Sequence, residues 1–207
     1  WMSLKKLEAI FDRSMETLGS GLPIRKTSIG IWVPTPLPVI MESVSLMQEM
    51  QLLGRTAPPG AVIDAGMGDG RVAAVLAYLN PSQPIYGLER DPVLFSQAVV
   101  NWRELRMQGL AVEASVRMIE GDYCDIVSYE SCALKFSETC AILNYPDGNQ
   151  GRLANFVAEH GGSRTSLCLL THDHSVNLDT LELCAQREVQ MTGEINWLLS
   201  VYRRSRD

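Results

Sequence analysis

The sequence predicts an α/β fold, in which a mostly parallel sheet is covered by helices on both faces. Short apolar runs of strand length alternate with amphipathic segments from residue 60 onward. The first of these runs ends in a glycine-rich turn. Two strand-like runs, 187–191 and 195–202, flank a short turn at the end of the chain. We therefore expect seven strands, the last two forming an antiparallel hairpin that reverses one of them.

The N-terminal part of the chain is predicted to be helical. Apolar residues recur at steps of three and four between 2 and 19, which is typical of an amphipathic helix. A second helix is expected after the proline-rich segment 31–38. Thr35 would be its N-cap, Pro36 would occupy its first turn and Leu53 would be its last residue.

The rest of the chain is predicted to alternate between strands and helices. Asp91 and Pro92 are expected to open one of these helices as an N-cap and a first-turn proline. The segment 121–138 has no clear periodicity, and we predict no element for it. The expected strands before the hairpin are 61–63, 84–88, 116–119, 139–143 and 166–170.

A glycine-rich turn, D-A-G-M-G-D-G over 64–70, follows the first strand. Open α/β sheets bind ligands at such a turn, since glycine lets the backbone approach a ligand closely. The dinucleotide fingerprint G-x-G-x-x-G would require a glycine where this chain has Arg71. The pattern is instead D-x-G-x-G-x-G. Two acidic signals come after it, Glu89 at the end of the next strand and E-G-D at 120–122.

These signals, in this order, resemble those of class I (Rossmann-like) S-adenosylmethionine-dependent methyltransferases over residues 33–203. The resemblance implies a Rossmann-like seven-stranded sheet, with S-adenosyl-L-methionine as the cofactor. The implied activity is transfer of a methyl group to a nitrogen or oxygen nucleophile. Residues 1–57 would then be an N-terminal helical extension that acts as a cap or lid, and 58–207 the cofactor-binding domain.

The resemblance also implies roles for individual residues. Asp64 would receive the cofactor amino group directly or through water, Glu89 would bind the ribose hydroxyls and Asp122 would meet the adenine. The alternative interpretations are a tight turn for Gly66, a solvated strand end for Glu89 and a helix cap or turn for Asp122. The residues implied to bind the cofactor are Asp64, Gly66, Met67, Gly68, Gly70, Glu89, Arg90, Asp122 and Tyr123.

The methyl acceptor is expected beyond the ends of the fourth and fifth strands. The run N-Y-P-D at 144–147 partly resembles the [DN]-P-P-[YFW] signature of amino methyltransferases. Asn144, Tyr145 and His172 are therefore the candidate catalytic residues, and His172 could be a general base. A polar strand end is the alternative interpretation of His172, and an ordinary loop is that of Asp147.

A narrower resemblance joins V-P-T-P at 33–36 to G-M-G-D-G-R at 66–71. A similar pair of segments occurs in a small group of methyltransferases, some of which modify protein lysines. A protein side chain such as lysine, or a small molecule, is therefore the expected acceptor. Trp32 and Thr35 are expected either to form a lid over the cofactor or to staple the first helix to the core.

Composition and charge exclude several classes of protein. Of 207 residues, 46% are hydrophobic and 20% are charged, which excludes a disordered chain. A net charge of −6 provides no basic field, so nucleic acid is not an expected partner. The five cysteines form no C-x-x-C pair, and with three histidines they predict reduced thiols, a cytoplasmic location and no metal site. No segment looks able to cross a membrane, so no membrane partner is expected.

Three other functions share part of this pattern. An aminopropyltransferase of the same fold would use the decarboxylated form of the cofactor. A non-catalytic module would bind S-adenosylmethionine without turning it over. A nicotinamide dehydrogenase is disfavoured by Arg71, which stands where its third glycine would be.

Overall fold

A computed structural model describes residues 2–17, 25–27, 30–80, 82–110, 116–145, 147–172, 176–189 and 197–204. The helices in these ranges are α1 (Met2–Thr17), α2 (Leu37–Glu49), α3 (Arg71–Leu79), α4 (Pro92–Met107), α5 (Ile126–Glu130) and α6 (Gln150–His160). The strands are β1 (Arg25–Thr27), β2 (Gly30–Trp32), β3 (Ala61–Ala65), β4 (Ile85–Glu89), β5 (Val116–Glu120), β6 (Thr139–Asn144), β7 (Ser166–His172), β8 (Glu182–Val189) and β9 (Trp197–Arg203). A short 3-10 helix, Phe136–Glu138, precedes β6.

Seven strands form one sheet in the order β5-β4-β3-β6-β7-β9-β8. The central strand β3 pairs in parallel with β4 on one side and with β6 on the other. Strand β9 runs antiparallel to both β7 and β8, which confirms the predicted seven-stranded sheet and its C-terminal hairpin. The chain leaves β3 toward one edge and returns on its other side at β6. The carboxyl ends of these two strands therefore meet at the switch point where open α/β sheets bind ligands.

Helices cover both faces of this sheet, as predicted. Val62 and Ile63 of β3 belong to clusters on opposite faces, as the alternation of side chains along a strand requires. Helices α1, α2 and α3 contribute to the cluster around Val62. Helix α6 and the aromatic residues Tyr129 and Phe136 contribute to the cluster around Ile63. Because α1 and α2 share their core with α3, the division of the chain at residue 57 stays a prediction.

Helix α2 starts later than predicted. It begins at Leu37, so Pro36 rather than Thr35 occupies the N-cap position, and no side chain caps the helix. Pro38 then lies in the first turn, where its missing N–H costs no helical hydrogen bond. Either Pro36 or Pro38 could be the proline of the first turn, so the sequence is compatible with a helix that starts at Pro36 or at Leu37. The sequence pattern misplaced the cap for this reason.

Helix α2 also ends earlier than predicted, at Glu49 rather than Leu53. Gln51 has a φ of 57°, which ends the helical backbone. The N–H of Leu52 donates to the Met47 carbonyl at 2.9 Å and closes the last turn. Leu52 and Leu53 are still buried, so the apolar pattern continues beyond the helix that it was taken to define.

The first strand of the hairpin was misplaced too: β8 spans Glu182–Val189, whereas the predicted run was 187–191. As the edge strand, β8 pairs with β9 on one side and leaves most of its side chains exposed. Its sequence therefore has no clear apolar alternation, and a register shift between Leu183 and Ala185 weakens it further. The predicted turn of the hairpin, at 192–194, lies outside the described residues.

The structure also contains elements that the sequence did not predict. Strands β1 and β2 form a separate antiparallel pair, and three-residue strands are too short to show a pattern. Helix α5 and the 3-10 helix lie in the segment 121–138. Helix α1 ends at Thr17, and the last two residues of its predicted range lie outside the described residues. Within the described ranges, none of the helices has both the length and the apolar character needed to cross a membrane.

Candidate functional site

A cavity lies at the carboxyl ends of the central strands, at the switch point of the sheet. Its wall is built by residues that follow β3, β4, β5 and β6. Trp32 and Thr35, from β2 and the segment after it, also line the cavity, and their role as a lid stays a prediction. The predicted site residues that line the cavity are Gly66, Met67, Glu89, Arg90, Asp122, Tyr123 and Tyr145.

Glu89 fastens the glycine-rich turn to the end of β4. One carboxylate oxygen accepts the Gly68 N–H at 2.9 Å, and the other accepts the Asp91 N–H at 2.7 Å. Burial raises the pKa of Glu89, and these backbone donors partly oppose the increase. Each oxygen can accept a second hydrogen bond, so Glu89 can still receive hydroxyl donors from the cavity.

Trp32 packs directly on the glycine-rich turn. A Cβ built on Gly68 would overlap the indole ring of Trp32, and the φ of Gly68 is +56°. Only a residue without a side chain fits there without displacing the indole. The sequence prediction gave Gly68 a role toward the cofactor, and the structure shows that its bare backbone also accommodates Trp32.

Arg71 joins the turn to the N-terminal part of the chain. Its guanidinium donates two hydrogen bonds to the Asp69 carboxylate, at 2.9 Å and 2.7 Å, and one to the Thr35 carbonyl at 3.3 Å. The same group lies 5.4 Å from the ring centre of Phe11 and 5.8 Å from that of Trp32. One buried arginine therefore connects α1, β2, the V-P-T-P segment and the turn.

Asp64 is fully buried behind the turn and does not line the cavity. Neither of its carboxylate oxygens makes a well-formed hydrogen bond with a described residue. Burial raises the pKa of Asp64 well above its ordinary value, and the Ala73 N–H at the start of α3 opposes this increase only partly. Nearby Glu89 and Asp69 raise it further. The predicted contact of Asp64 with a cofactor amino group therefore stays a prediction, and a mediating water fits it better than direct contact.

The raised pKa of Asp64 predicts a pH-dependent stability. A group whose pKa is higher in the folded state stabilises the fold fully below its unfolded pKa, about 3.9, and loses that contribution as pH rises toward the folded value. The asparagine of Asp64→Asn cannot ionise. In the absence of ligand we therefore expect the free energy of unfolding of this variant, measured with urea at pH 7, to exceed that of wild type by about 1–3 kcal/mol. The gain should shrink as pH falls toward 4. Asp12→Asn, at an exposed position, is the control, and an Asp64→Asn gain that does not change with pH would contradict the prediction.

Asp122 holds two arginines at the rim of the cavity. Its carboxylate accepts hydrogen bonds from Arg152 at 2.7 Å, from Arg90 at 3.4 Å and from the Cys124 N–H at 2.8 Å. Burial alone would raise the pKa of Asp122, but the Arg152 hydrogen bond and the Cys124 N–H lower it overall. The carboxylate therefore stays charged, and it lines the cavity. Its predicted contact with the adenine stays a prediction.

Tyr123 and Asp147 form a hydrogen-bonded pair beside the turn. The Tyr123 hydroxyl donates to one Asp147 oxygen, and the Asn149 N–H donates to the other at 2.9 Å. Burial raises the pKa of Tyr123, and the adjacent negative Asp147 raises it further. The hydroxyl therefore remains a donor. All three residues line the cavity.

The three candidate catalytic residues occupy different places. Tyr145 lines the cavity, and its buried hydroxyl has no hydrogen-bond partner among the described residues. Asn144 does not line the cavity; its amide donates to the Ala65 carbonyl at 2.7 Å. His172 also lies off the cavity wall, where its ring packs 3.8 Å from that of Trp197. The catalytic roles of these residues stay predictions.

Several lining residues were not among the predicted site residues. Arg152 lies on α6, and nothing in the sequence marks it. Asp147 occupied the aromatic position of a recognisable motif, which was the one signal that could have found it. The cavity residues outside the prediction include Arg71, Leu94, Asp147, Asn149 and Arg152.

Within the described ranges, no group of three or more His, Cys, Asp or Glu side chains could hold a metal ion.

The cavity fits an adenosyl cofactor with a methionine tail. Glu89 lines it with acceptor capacity that suits ribose hydroxyls. Gly66 presents bare backbone to the cavity, where an added Cβ would stand 3.5 Å from Tyr123 and 3.6 Å from Asp147. Unpaired buried oxygens of Asp64 and Asn144 lie on adjacent strands behind this turn. The residues present are therefore compatible with the group that the sequence resemblance implies.

Comparison with solved structures identifies the fold. An RNA methyltransferase from Salinibacter ruber, in complex with S-adenosyl-L-homocysteine, is 22% identical, with a TM-score of 0.56 over 84% of this chain and 96% of that chain. The rRNA methyltransferase aviRa from Streptomyces viridochromogenes is 13% identical, with a TM-score of 0.60 over 90% and 92% of the two chains. A geranyl diphosphate C-methyltransferase from Streptomyces coelicolor is 12% identical, with a TM-score of 0.55 over 79% and 75%.

The chain has the class I methyltransferase fold, as the sequence resemblance predicted. Comparisons with protein-family models and with curated proteins found no match. The similar structures act on different acceptors according to their descriptions. They therefore identify the scaffold, while the function has to be argued from the site.

Proposed function

We propose that this protein is an S-adenosylmethionine-dependent methyltransferase that acts on a nitrogen or oxygen nucleophile. The observation that carries the proposal is the cavity at the switch point, where Glu89 accepts the Gly68 N–H and still lines the cavity. A carboxylate fixed one strand away from a glycine-rich turn is suited to bind ribose hydroxyls. The solved structures of the same fold support this assignment.

In this proposal the chain binds, orients and shields the reactants. Glu89 would hold the ribose, Asp122 and Tyr123 would lie beside the adenine, and the turn at Gly66 would face the methionine part. When bound, the cofactor supplies a methyl group activated by a positive sulfonium. Trp32 would exclude water from the turn, and Tyr145 offers the cavity wall a hydroxyl with a raised pKa, due first to burial and then to Asp64.

The acceptor in this proposal is a protein side chain such as lysine, or a small molecule. The net charge of −6 argues against a nucleic-acid acceptor, although two of the similar structures are described as RNA or rRNA methyltransferases. The three arginines of the cavity wall pair with neighbouring carboxylates, which reduces the positive charge that they could offer to a phosphate backbone.

All five cysteines are free thiols, which supports the proposed cytoplasmic location.

Two alternatives remain within the same fold. An aminopropyltransferase would prefer the decarboxylated cofactor, and a non-catalytic module would bind the cofactor without turnover. A nicotinamide dehydrogenase stays disfavoured because Arg71, which donates to Asp69 and to the Thr35 carbonyl, occupies the position of its third glycine. Titration with S-adenosylmethionine and with its decarboxylated form separates the first alternative from the proposal.

Glu89→Ala is expected to weaken binding of S-adenosylhomocysteine by about 1–3 kcal/mol, roughly fivefold to 150-fold, because a charge-assisted acceptor is lost. Isothermal titration calorimetry measures the change. Glu130→Ala, at an exposed position on α5, is the matched control and should bind like wild type. Unchanged affinity in a folded Glu89→Ala variant would contradict the proposed cofactor site.

Turnover is tested with radiolabelled S-adenosylmethionine. The protein is incubated with a cell lysate, which is then separated into protein, nucleic-acid and small-molecule fractions. We expect label in the protein or small-molecule fraction, and Glu89→Ala should reduce it. Label confined to nucleic acid would overturn the acceptor assignment, and cofactor binding without any label would favour the non-catalytic module.

A further inference from the structure

Asp147 is fixed at the point where the cavity meets the glycine-rich turn. Its two oxygens accept hydrogen bonds from the Tyr123 hydroxyl and the Asn149 N–H. A Cβ built on Gly66 would lie 3.6 Å from the oxygen that Tyr123 contacts. The carboxylate is therefore held in one orientation by two hydrogen bonds, and it faces Gly66 closely enough that a side chain added there would touch it.

In the part of the chain that the structure describes, the arginines around the cavity each pair with a carboxylate, but one carboxylate of the cavity wall, Asp147, forms no ion pair with them. Arg71 pairs with Asp69, while Arg90 and Arg152 both pair with Asp122. Among the residues that the structure describes, no ion pair joins Asp147 to a cation, and both of its hydrogen-bond donors are neutral. A carboxylate held in this way, inside a partly apolar cavity, favours a positively charged ligand group.

Tyr123 is what keeps this carboxylate in place. Tyr123 is buried, and the raised pKa of its hydroxyl makes it a donor rather than a competing anion. The backbone of Tyr123 is also held in place, because the hydroxyl of buried Tyr129 donates to the Tyr123 carbonyl at 2.6 Å. The pair is therefore supported from the core, which preorganises Asp147 toward the cavity.

We propose that Asp147, positioned by Tyr123 and Asn149, binds the cationic amine of the methyl acceptor beside the glycine-rich turn. This inference rests on the proposed function and narrows its acceptor from a nitrogen or oxygen nucleophile to an aliphatic amine. The bound ammonium has no lone pair, so it has to release one proton to solvent before its nitrogen can accept the methyl group. A neutral hydroxyl would gain only an ordinary hydrogen bond there, whereas an ammonium gains a charge-assisted one. Asp147 is thus an acceptor-binding residue, and Tyr123 is a positioning residue.

The inference is tested with two cofactor analogues that differ at the transfer position. S-adenosylhomocysteine has a neutral thioether there. Sinefungin carries a protonated amine in place of the transferred methyl group, which puts a cation at the point that the acceptor nitrogen approaches. We expect Asp147→Asn to weaken sinefungin binding by about tenfold or more, because one charge-assisted hydrogen bond is lost. Its affinity for S-adenosylhomocysteine should change by less than about twofold, since a neutral thioether gains little from a carboxylate.

Calorimetric titration of the full chain gives both affinities without any turnover. Tyr123→Phe keeps the Asp147 carboxylate but removes the hydroxyl that orients it. The loss of sinefungin affinity should therefore be smaller for Tyr123→Phe than for Asp147→Asn. Glu130→Gln on α5 is the control for loss of one surface charge. Equal effects of Asp147→Asn on the two analogues, or no effect on either, would overturn the inference while leaving the proposed function intact. If wild type binds neither analogue, the proposed function fails and this inference fails with it.

Discussion

Arg71→Met is expected to lower the free energy of unfolding by about 3–5 kcal/mol, because it removes one partner of a buried ion pair. The Asp69 side chain is 0% exposed and that of Arg71 is 10% exposed, with the closest nitrogen and oxygen 2.7 Å apart. Methionine keeps much of the length of the side chain but withdraws the guanidinium from a carboxylate inside the fold. It also removes the cation beside the Phe11 and Trp32 rings, so the contact of α1 with the turn is weakened as well.

Urea unfolding of a double-mutant cycle tests this expectation. Asp69→Asn combined with Arg71→Met removes both charges, so the pair of substitutions should cost clearly less than the sum of the two single ones. Lys135→Met is the comparison for an exposed ion pair, since Lys135 and Glu138 are 78% and 64% exposed, and it should cost no more than about 1 kcal/mol. If Arg71→Met costs as little as Lys135→Met, the buried pair does not stabilise the fold as we infer.

The central strands were predictable because they are short apolar runs buried on both sides. The runs that became β3, β4, β6 and β7 needed no information beyond their own residues. Strand β8 was misplaced because an edge strand has one pairing partner and exposed side chains, so burial does not impose a pattern on it. The end of α2 was misplaced for the opposite reason, since buried Leu52 and Leu53 extend the apolar pattern past the last helical turn.

The candidate site shows the same division between local and tertiary information. Glu89 and Asp122 could be placed at the cavity because Glu89 ends β4 and Asp122 lies two residues after β5, and the ends of parallel strands converge at one edge of the sheet. Asp147 and Arg152 were missed because their places depend on how the chain turns after β6 into α6. The position of Trp32 over Gly68 depends on β1 and β2, which are too short to predict. The residues that surround the turn from outside the sheet are therefore the part that the sequence pattern could not supply.

Gly68→Ala is expected to lower the free energy of unfolding by about 2–4 kcal/mol, through backbone strain together with overpacking. The φ of +56° disfavours any side chain at this position, and the new Cβ would overlap the Trp32 indole. The displaced indole would also disturb the turn whose N–H donates to Glu89, so binding of S-adenosylhomocysteine should weaken in the same variant.

Two comparisons separate strain from overpacking in this substitution. Gly109 has a φ of +65° with nothing within 4 Å of an added Cβ, so Gly109→Ala measures strain alone, about 1–2 kcal/mol. In a Trp32→Ala background the new methyl group has space, so the cost of Gly68→Ala, measured against Trp32→Ala by urea unfolding, should fall to the same value. A cost of Gly68→Ala that stays unchanged when Trp32 is removed would show that the indole does not rest on the turn. The predicted lid, if it exists, would then rest on the neighbouring V-P-T-P segment alone.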